Sequence, residues 1–164
     1  MGEYSKEYLS THDIDWFCFI NDKPIHAASN GGNLPDKIND REINSNNQII
    51  AYKSDHIYSV NEVETNTEYI INKLRKSKRE YSELELSKMV NNYLRTFIDM
   101  ATRGFYSFDR VDDSESDEYY LIAWPKNNNK DFNVKLKNVF FKHDAFDLND
   151  PKKTEPYRFN HLNE

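Results

Sequence analysis

The chain is poor in glycine and rich in aromatic side chains. Its 164 residues include only four glycines, against 11 Tyr, 10 Phe and 2 Trp. Loops that cradle phosphates or dinucleotides need glycine, because they adopt positive φ and bring the backbone close to the ligand. The sequence therefore disfavours the common nucleotide-binding loops. Its aromatic residues can supply a core, since each buries about 150–250 Å².

The length and composition are typical of a single folded domain. Hydrophobic residues make up 37% and charged residues 30% of the chain, and the many aromatic residues argue against disorder throughout. We expect one α+β domain over residues 1–164, with an extended tail from about residue 144, where polar residues and two prolines prevail. Apolar runs such as residues 16–20 are far shorter than the about 20 residues that a bilayer span needs. We therefore expect a cytoplasmic protein that does not enter a membrane.

Several segments have the composition of β-strands. Residues 14–20 are apolar and aromatic, and a polar turn separates them from a second strand at 25–29, which predicts a β-hairpin. Further strands are predicted at 105–111, 119–124 and 134–141, with short ones at 49–51 and 56–60. Residues 33–55 otherwise look like a surface loop with one helical turn. The predicted architecture is an antiparallel sheet of hairpins packed against one long and one shorter α-helix.

Two helices are predicted in the centre of the chain. Ser82 and Glu85 form a capping box at the start of a helix over 83–103, whose apolar residues recur at i, i+3, i+4 and i+7. Gly104 is placed to end this helix in the left-handed conformation. A shorter helix is predicted through residues 68–74, with Thr65 or Thr67 as its cap.

Cys18 and His26 lie in the two strands of the predicted hairpin, where a thiol and an imidazole suggest a nucleophile and its base. A two- or four-residue loop pairs residue 20 with 25. His26 then shares a face with Phe17 and Phe19, and Cys18 points to the opposite face; a three-residue loop would bring the pair together. We interpret Cys18 as a buried structural residue, because free cysteine mostly behaves as a small hydrophobe.

No cofactor or metal site is predicted. The five histidines are scattered without a metal-ligand spacing. The acidic loop at 112–118 has no glycine, which a calcium-binding EF-hand loop requires at its centre. We interpret that loop as a solvated hairpin connection.

A candidate pocket is proposed from polar residues in or beside the predicted strands. Two segments, 105–110 and 30–35, mix aromatic or turn residues with charged ones and are where a cleft is expected. The residues of this candidate pocket are Asp13, Asp15, His26, Asp109 and Arg110.

Charge is distributed unevenly along the chain, whose net charge is −6. Residues 65–111 carry nine basic and six acidic side chains, whereas the flanking regions are acidic. The basic excess centres on a patch formed by Lys73, Arg75, Lys76, Lys78 and Arg79. Without a nucleic-acid motif, we interpret this patch as the cationic end of the shorter helix, where it complements the helix dipole. An acidic protein is not expected to bind nucleic acid in general.

Two hypotheses for function follow. The first is a non-enzymatic protein-interaction module of bacterial type, such as an inhibitor or immunity-like protein, because catalytic motifs are missing and many Tyr and Trp residues are available for an interface. The second is a small enzyme or ligand-binding domain that uses an Asp/His/Arg pocket. Convergence of the candidate residues in a deep pocket would favour the second.

Overall fold

A computed structural model describes residues 2–77, 79–111, 117–128, 130, 140–144 and 146–159. In these residues it shows a mixed α+β fold with one seven-stranded sheet and four α-helices. The helices are α1 (Lys6–Thr11), α2 (Arg41–Lys53), α3 (Thr67–Arg75) and α4 (Glu83–Thr102), with a 3₁₀ turn at Val60–Glu62. The strands are β1 (Asp15–Ile20), β2 (Lys23–Ala28), β3 (Val63–Thr65), β4 (Tyr106–Arg110), β5 (Glu118–Pro125), β6 (Lys142–His143) and β7 (Tyr157–Arg158).

The sheet is mixed, and the prediction of a purely antiparallel sheet was wrong. Its strand order is β3-β5-β4-β2-β1-β6, with β7 paired to β5. β2 pairs with β4 in parallel, as β1 does with β6, and the other pairs are antiparallel. A parallel pair needs a long crossover, and the chain between β2 and β4 carries α2, α3 and α4. Alternating hydrophobicity identifies strands but does not give their direction.

The hairpin of β1 and β2 forms with a different register from the one predicted. Its loop is the two residues Asn21 and Asp22, both at positive φ (47° and 64°), as a type I′ turn requires. Ile20 therefore pairs with Lys23 instead of residue 25, and Phe17 pairs with His26. The pairing shifts by an even number of positions, so the predicted faces are kept. Cys18 lies on the face opposite to His26.

The long helix α4 confirms the clearest sequence pattern. The Ser82 side chain accepts a hydrogen bond from the backbone N–H of Glu85, and Gly104 has φ 100° just beyond the helix. The shorter helix, α3, is also present, but Asn66 precedes it in place of the predicted threonine cap. The Asn66 amide instead donates to the Leu121 and Lys153 carbonyl groups, which ties the start of α3 to the sheet and to the C-terminal stretch.

Helix α2 replaces the loop predicted at 33–55 and the strand predicted at 49–51. Asp40 caps it by accepting from the Ile43 backbone N–H. Its buried face is made of Asn44, Asn47 and Ala51, while Ile43 and Ile49 are exposed. The helix is thus held partly by polar contacts, which a search for an apolar stripe does not detect. Residues 56–59, part of the strand predicted at 56–60, have no regular secondary structure, and the 3₁₀ turn follows them.

Some predicted features lie outside the described residues. They are Lys78, most of the acidic loop (112–116) and most of the strand predicted at 134–141 (131–139). Residues 140–144 contribute β6 at the edge of the sheet.

The aromatic residues pack on both faces of the sheet. One face carries Trp16, Phe108 and Tyr119 under the N-terminal segment and the C-terminal stretch, in which Leu148, Tyr157 and Phe159 are buried. The other face lies against α2, α3 and α4. His26, Asp15 and Asp109 lie on this second, helical face. They are on the side opposite to Trp16 and Phe108, because strand residues alternate between faces.

Cys18 is expected to react slowly in the folded protein. It is fully buried beside Trp16 and Ile20, and burial raises the pKa of its thiol. Mixing the native protein with a thiol reagent should give little labelling, and adding denaturant should make labelling rapid. Fast labelling under native conditions would show that the thiol is accessible and would revive a nucleophilic role.

Candidate functional site

A cavity of about 350 Å³ opens on the helical face of the sheet. Its base is a row of residues on three neighbouring strands: Asp15 on β1 pairs with Ala28 on β2, and Ala28 pairs with Asp109 on β4. Neighbouring strands are about 4.8 Å apart, so the two aspartates stand about 10 Å apart at their Cα atoms. The small side chain of Ala28 leaves the space between them open. We call this space the carboxylate cavity.

Residues from all three longer helices complete the carboxylate cavity. Thr96 and Phe97 approach from α4, and the Phe97 ring stacks on Tyr93 at 5.6 Å between centroids. The full lining is Asp13, Asp15, His26, Ala28, Asn30, Tyr52, Lys73, Tyr93, Thr96, Phe97 and Asp109. Four of the five candidate pocket residues are therefore brought together here.

His26 lies at the centre of a buried hydrogen-bond chain. Its Nδ1 bonds the Ser107 hydroxyl group, and its Nε2 lies 2.9 Å from Oδ1 of Asp15. The Tyr52 hydroxyl donates to Oδ2 of Asp15 over 2.6 Å. The chain brings together the residue types of a serine hydrolase triad. However, Ser107 is fully buried and does not line the carboxylate cavity. Because both ring nitrogens are engaged internally, His26 serves to orient Asp15.

Asp15 is held as a carboxylate. Burial alone would raise its pKa, but the facing His26 and the hydrogen bonds from His26 and Tyr52 outweigh burial, so the pKa lies below its usual value of 3.8. Its backbone carbonyl group also accepts from the side chains of Asn44 and Gln48 on α2. These contacts fix both the charge and the position of Asp15 at the edge of the cavity.

The lowered pKa of Asp15 predicts acid sensitivity. An acid with a lowered folded-state pKa contributes stability above its unfolded pKa, and this stability is lost as pH falls through the folded value. Chemical denaturation between about pH 5 and pH 2 should therefore show a smaller loss of unfolding free energy for Asp15→Asn than for the unmodified protein. An equal loss in both proteins would contradict the account of Asp15.

Asp109 lies at the other side of the cavity, and its pKa is shifted in the opposite direction, above the usual value. Burial raises its pKa, and the nearby charge of Asp13 adds to this, while the Lys73 ammonium and the Tyr93 hydroxyl group oppose it. Oδ2 of Asp109 accepts from Tyr93 and lies 3.4 Å from Nζ of Lys73, which also donates to the Tyr93 hydroxyl group over 3.1 Å. The Asp109 side chain is thus held by α3 and α4 together.

Arg110, the fifth candidate, lies away from the carboxylate cavity. It follows Asp109 on β4 and points to the other face, where its Nε donates to the Ser29 carbonyl group over 2.8 Å. Gly32 passes so close that a Cβ there would stand 2.0 Å from Nε of Arg110. Arg110 therefore ties the turn after β2 to the sheet.

The described residues of the basic patch lie in different surroundings and do not form one surface. Lys73 faces the carboxylate cavity, Arg75 and Lys76 are exposed, and Arg79 lies over the Tyr81 ring at 5.6 Å. Lys73 and Lys76 also line a groove of about 510 Å³ between α3 and β5, together with Lys153 and the stacked rings of Tyr69 and Tyr120. Lys153 is paired there with Glu64 at 2.8 Å.

Sequence reasoning missed most of the lining supplied by the helices. Tyr93 and Phe97 belong to the apolar stripe of α4, and the polar tip of a tyrosine within such a stripe is the one available signal that a polar partner faces it. Tyr52 was missed because α2 was not predicted. Ser107 follows from the parallel pairing of β2 with β4, which places it beside His26.

Comparison with known proteins adds no assignment. Within the part of the chain that the structure describes, no group of three or more His, Cys, Asp or Glu side chains is arranged to hold a metal ion, and no helix is both long and apolar enough to cross a membrane. The chain matches no protein-family model, and neither the curated proteins nor the solved structures contain a match to it.

Proposed function

We propose that this protein is a non-enzymatic interaction module that binds a basic protein partner, in the manner of an inhibitor or immunity-like protein. The observation that carries the proposal is the carboxylate cavity, where, among the described residues, three aspartates and one lysine line the space and Asp15 is held in its charged form. An acidic, concave site attracts cationic groups and excludes anionic ones.

The mouth of the carboxylate cavity has features of an interface. Tyr52 and Thr96 are exposed at its edge, on α2 and α4. Tyrosine is enriched where proteins bind each other, because it combines a large apolar ring with a hydroxyl group. The net charge of −6 favours encounter with a basic partner.

The proposal is tested by affinity capture from a lysate of the source organism. Three tagged baits are compared: the unmodified protein, the Asp15→Asn/Asp109→Asn double variant and the control Glu68→Gln, which removes a charge from the neighbouring groove. We expect the first and third baits to recover the same basic protein in near-stoichiometric amounts, and the double variant to lose it. Recovery of that protein by the double variant, or of no protein by any bait, would overturn the proposal.

A small acid–base enzyme is the second candidate, and two observations favour it. Four of the five candidate pocket residues converge in one cavity, as this hypothesis expects. Asp15 and Asp109 line the same cavity with pKa values displaced in opposite directions, which is how a catalytic base and a catalytic acid are commonly arranged. Against this, both oxygens of Asp15 accept internal hydrogen bonds and both nitrogens of His26 are engaged. Chemical change in a captured small molecule, lost on Asp109→Asn, would favour the enzyme.

A further inference from the structure

One oxygen of Asp109 is available to a ligand in the carboxylate cavity. The residue is 4% exposed, and its Oδ2 takes part in both contacts with Tyr93 and Lys73. Oδ1 has no hydrogen-bond partner among the described residues, although the side chain lines the cavity. A carboxylate oxygen that faces a cavity is stabilised when a donor reaches it. The site thus has a place for an N–H group that the described residues do not supply.

Lys73 shows that a cation fits this environment. Its Nζ lies 5.1 Å from the centre of the Tyr93 ring and 3.4 Å from Oδ2 of Asp109. A positive group is therefore accommodated by an aromatic face and a carboxylate together. The Phe97 ring stacks on Tyr93 and extends the aromatic surface toward Thr96, at the mouth of the cavity.

The distribution of acceptors favours a guanidinium group over a second ammonium group. Oδ1 of Asp109 and the Asp13 carboxylate belong to different segments, and Asp13 is partly committed to the Asn30 backbone N–H over 2.8 Å. A planar group with five donors can reach acceptors in several directions, whereas an ammonium group is a compact and strongly hydrated charge.

We infer that the carboxylate cavity receives one arginine side chain of the partner protein, with its guanidinium group donating to Oδ1 of Asp109. This inference rests on the proposed function and specifies its central contact. The exposed Thr96 and Tyr52 then surround the aliphatic part of the arginine side chain, and the partner backbone stays outside, near the C-terminal end of α2 and beside Thr96 of α4.

The contact has a pH signature. The groups that act on Asp109 are Lys73 from α3, Tyr93 from α4 and Asp13 from the segment before β1, and the pKa of Asp109 is raised. A guanidinium group binds the ionised carboxylate, so its binding releases a proton wherever Asp109 is protonated in the free protein. Affinity is therefore expected to rise with pH until Asp109 is ionised without the ligand.

The inference is tested by NMR titration with three small compounds: the N-acetyl N-methylamides of arginine, lysine and citrulline, the last being an uncharged analogue of arginine. We expect the arginine compound to bind in the millimolar range and to shift the backbone amides of Ala28, Thr96 and Asp109. The citrulline compound should bind at least about tenfold more weakly, and the lysine compound should fall between them.

Two variants serve as matched controls for the titration. Thr96→Arg places a guanidinium group at the mouth of the cavity and should abolish the shifts, whereas Asn91→Arg adds the same charge at an exposed position of α4 that does not line the cavity. Three outcomes would each overturn the inference. The arginine compound could bind no better than the citrulline compound, it could bind no better than the lysine compound, or no amide could shift at about 50 mM. The capture experiment separates the two failures. If the Asp15→Asn/Asp109→Asn variant still loses the partner, only the arginine contact is wrong. If that variant keeps the partner, the proposed function is wrong.

Discussion

Phe108→Ala is expected to destabilise the protein by about 3–5 kcal/mol. Phe108 is fully buried on β4, on the face opposite to the carboxylate cavity, and its ring meets Tyr157 and Phe159 edge-on at 5.4 Å and 5.2 Å between centroids. Removing the ring leaves a hole between the sheet and the C-terminal stretch, because a close-packed core relaxes only partly. Urea denaturation of the two proteins measures the difference.

The same comparison tests how the C-terminal stretch is held. Phe108→Leu keeps an apolar side chain in place and should cost clearly less than Phe108→Ala. A loss below about 1 kcal/mol for the alanine variant would fall outside the range for large-to-small core changes. Residues 146–159 would then not cover this face of the sheet as described.

Leu94→Ala is expected to cost about 2–5 kcal/mol. Leu94 is 5% exposed on α4, in the cluster that also contains Ile70 of α3 and Ile122 of β5. Its loss removes packing between two helices and the sheet at once. The measurement is again the free energy of unfolding from urea denaturation.

Leu84→Ala is the matched control on the same helix. Leu84 is 66% exposed, so its truncation should change the unfolding free energy by no more than about 0.5 kcal/mol. The two leucines share residue type and helix and differ in burial. Similar effects for both variants would show that the buried face of α4 has been assigned wrongly.

The sequence predicts those elements whose signals are local. The start of α4 follows from Ser82 and Glu85, and its buried face follows from apolar spacing, so both were predicted closely. Cys18 and His26 were correctly predicted to lie on opposite faces, although the predicted register was wrong. The observed turn shifts the pairing by an even number of positions, which leaves the faces unchanged. Both signals are contained within a short stretch of chain.

Elements that depend on distant contacts were not predicted. Helix α2 buries Asn44 and Asn47 in place of apolar residues, and the Asn44 side chain donates to the Asp15 carbonyl group across the fold. The parallel pairing of β2 with β4 depends on the path of the three helices between them. Neither feature leaves a periodic apolar pattern for sequence reasoning to detect.

The candidate pocket also combines features that local sequence patterns predict with features that depend on distant contacts. Asp15, His26 and Asp109 come together because β4, which is remote in sequence, lies beside the hairpin of β1 and β2 in the sheet. Asp109 and Arg110 are consecutive on one strand, so alternation alone places them on opposite faces. Lys73 and Tyr93 join the site only through helix packing, which no spacing in the sequence indicates.

We propose that the carboxylate cavity binds a basic protein. The most direct test is calorimetric titration of the captured partner, once purified, into the unmodified protein and into Asp109→Asn, with near-UV circular dichroism to verify that the variant is folded. Loss of a desolvated charge contact at an interface costs about 2–5 kcal/mol, so we predict that Kd rises at least about 30-fold. An unchanged Kd for the folded variant would contradict the claim.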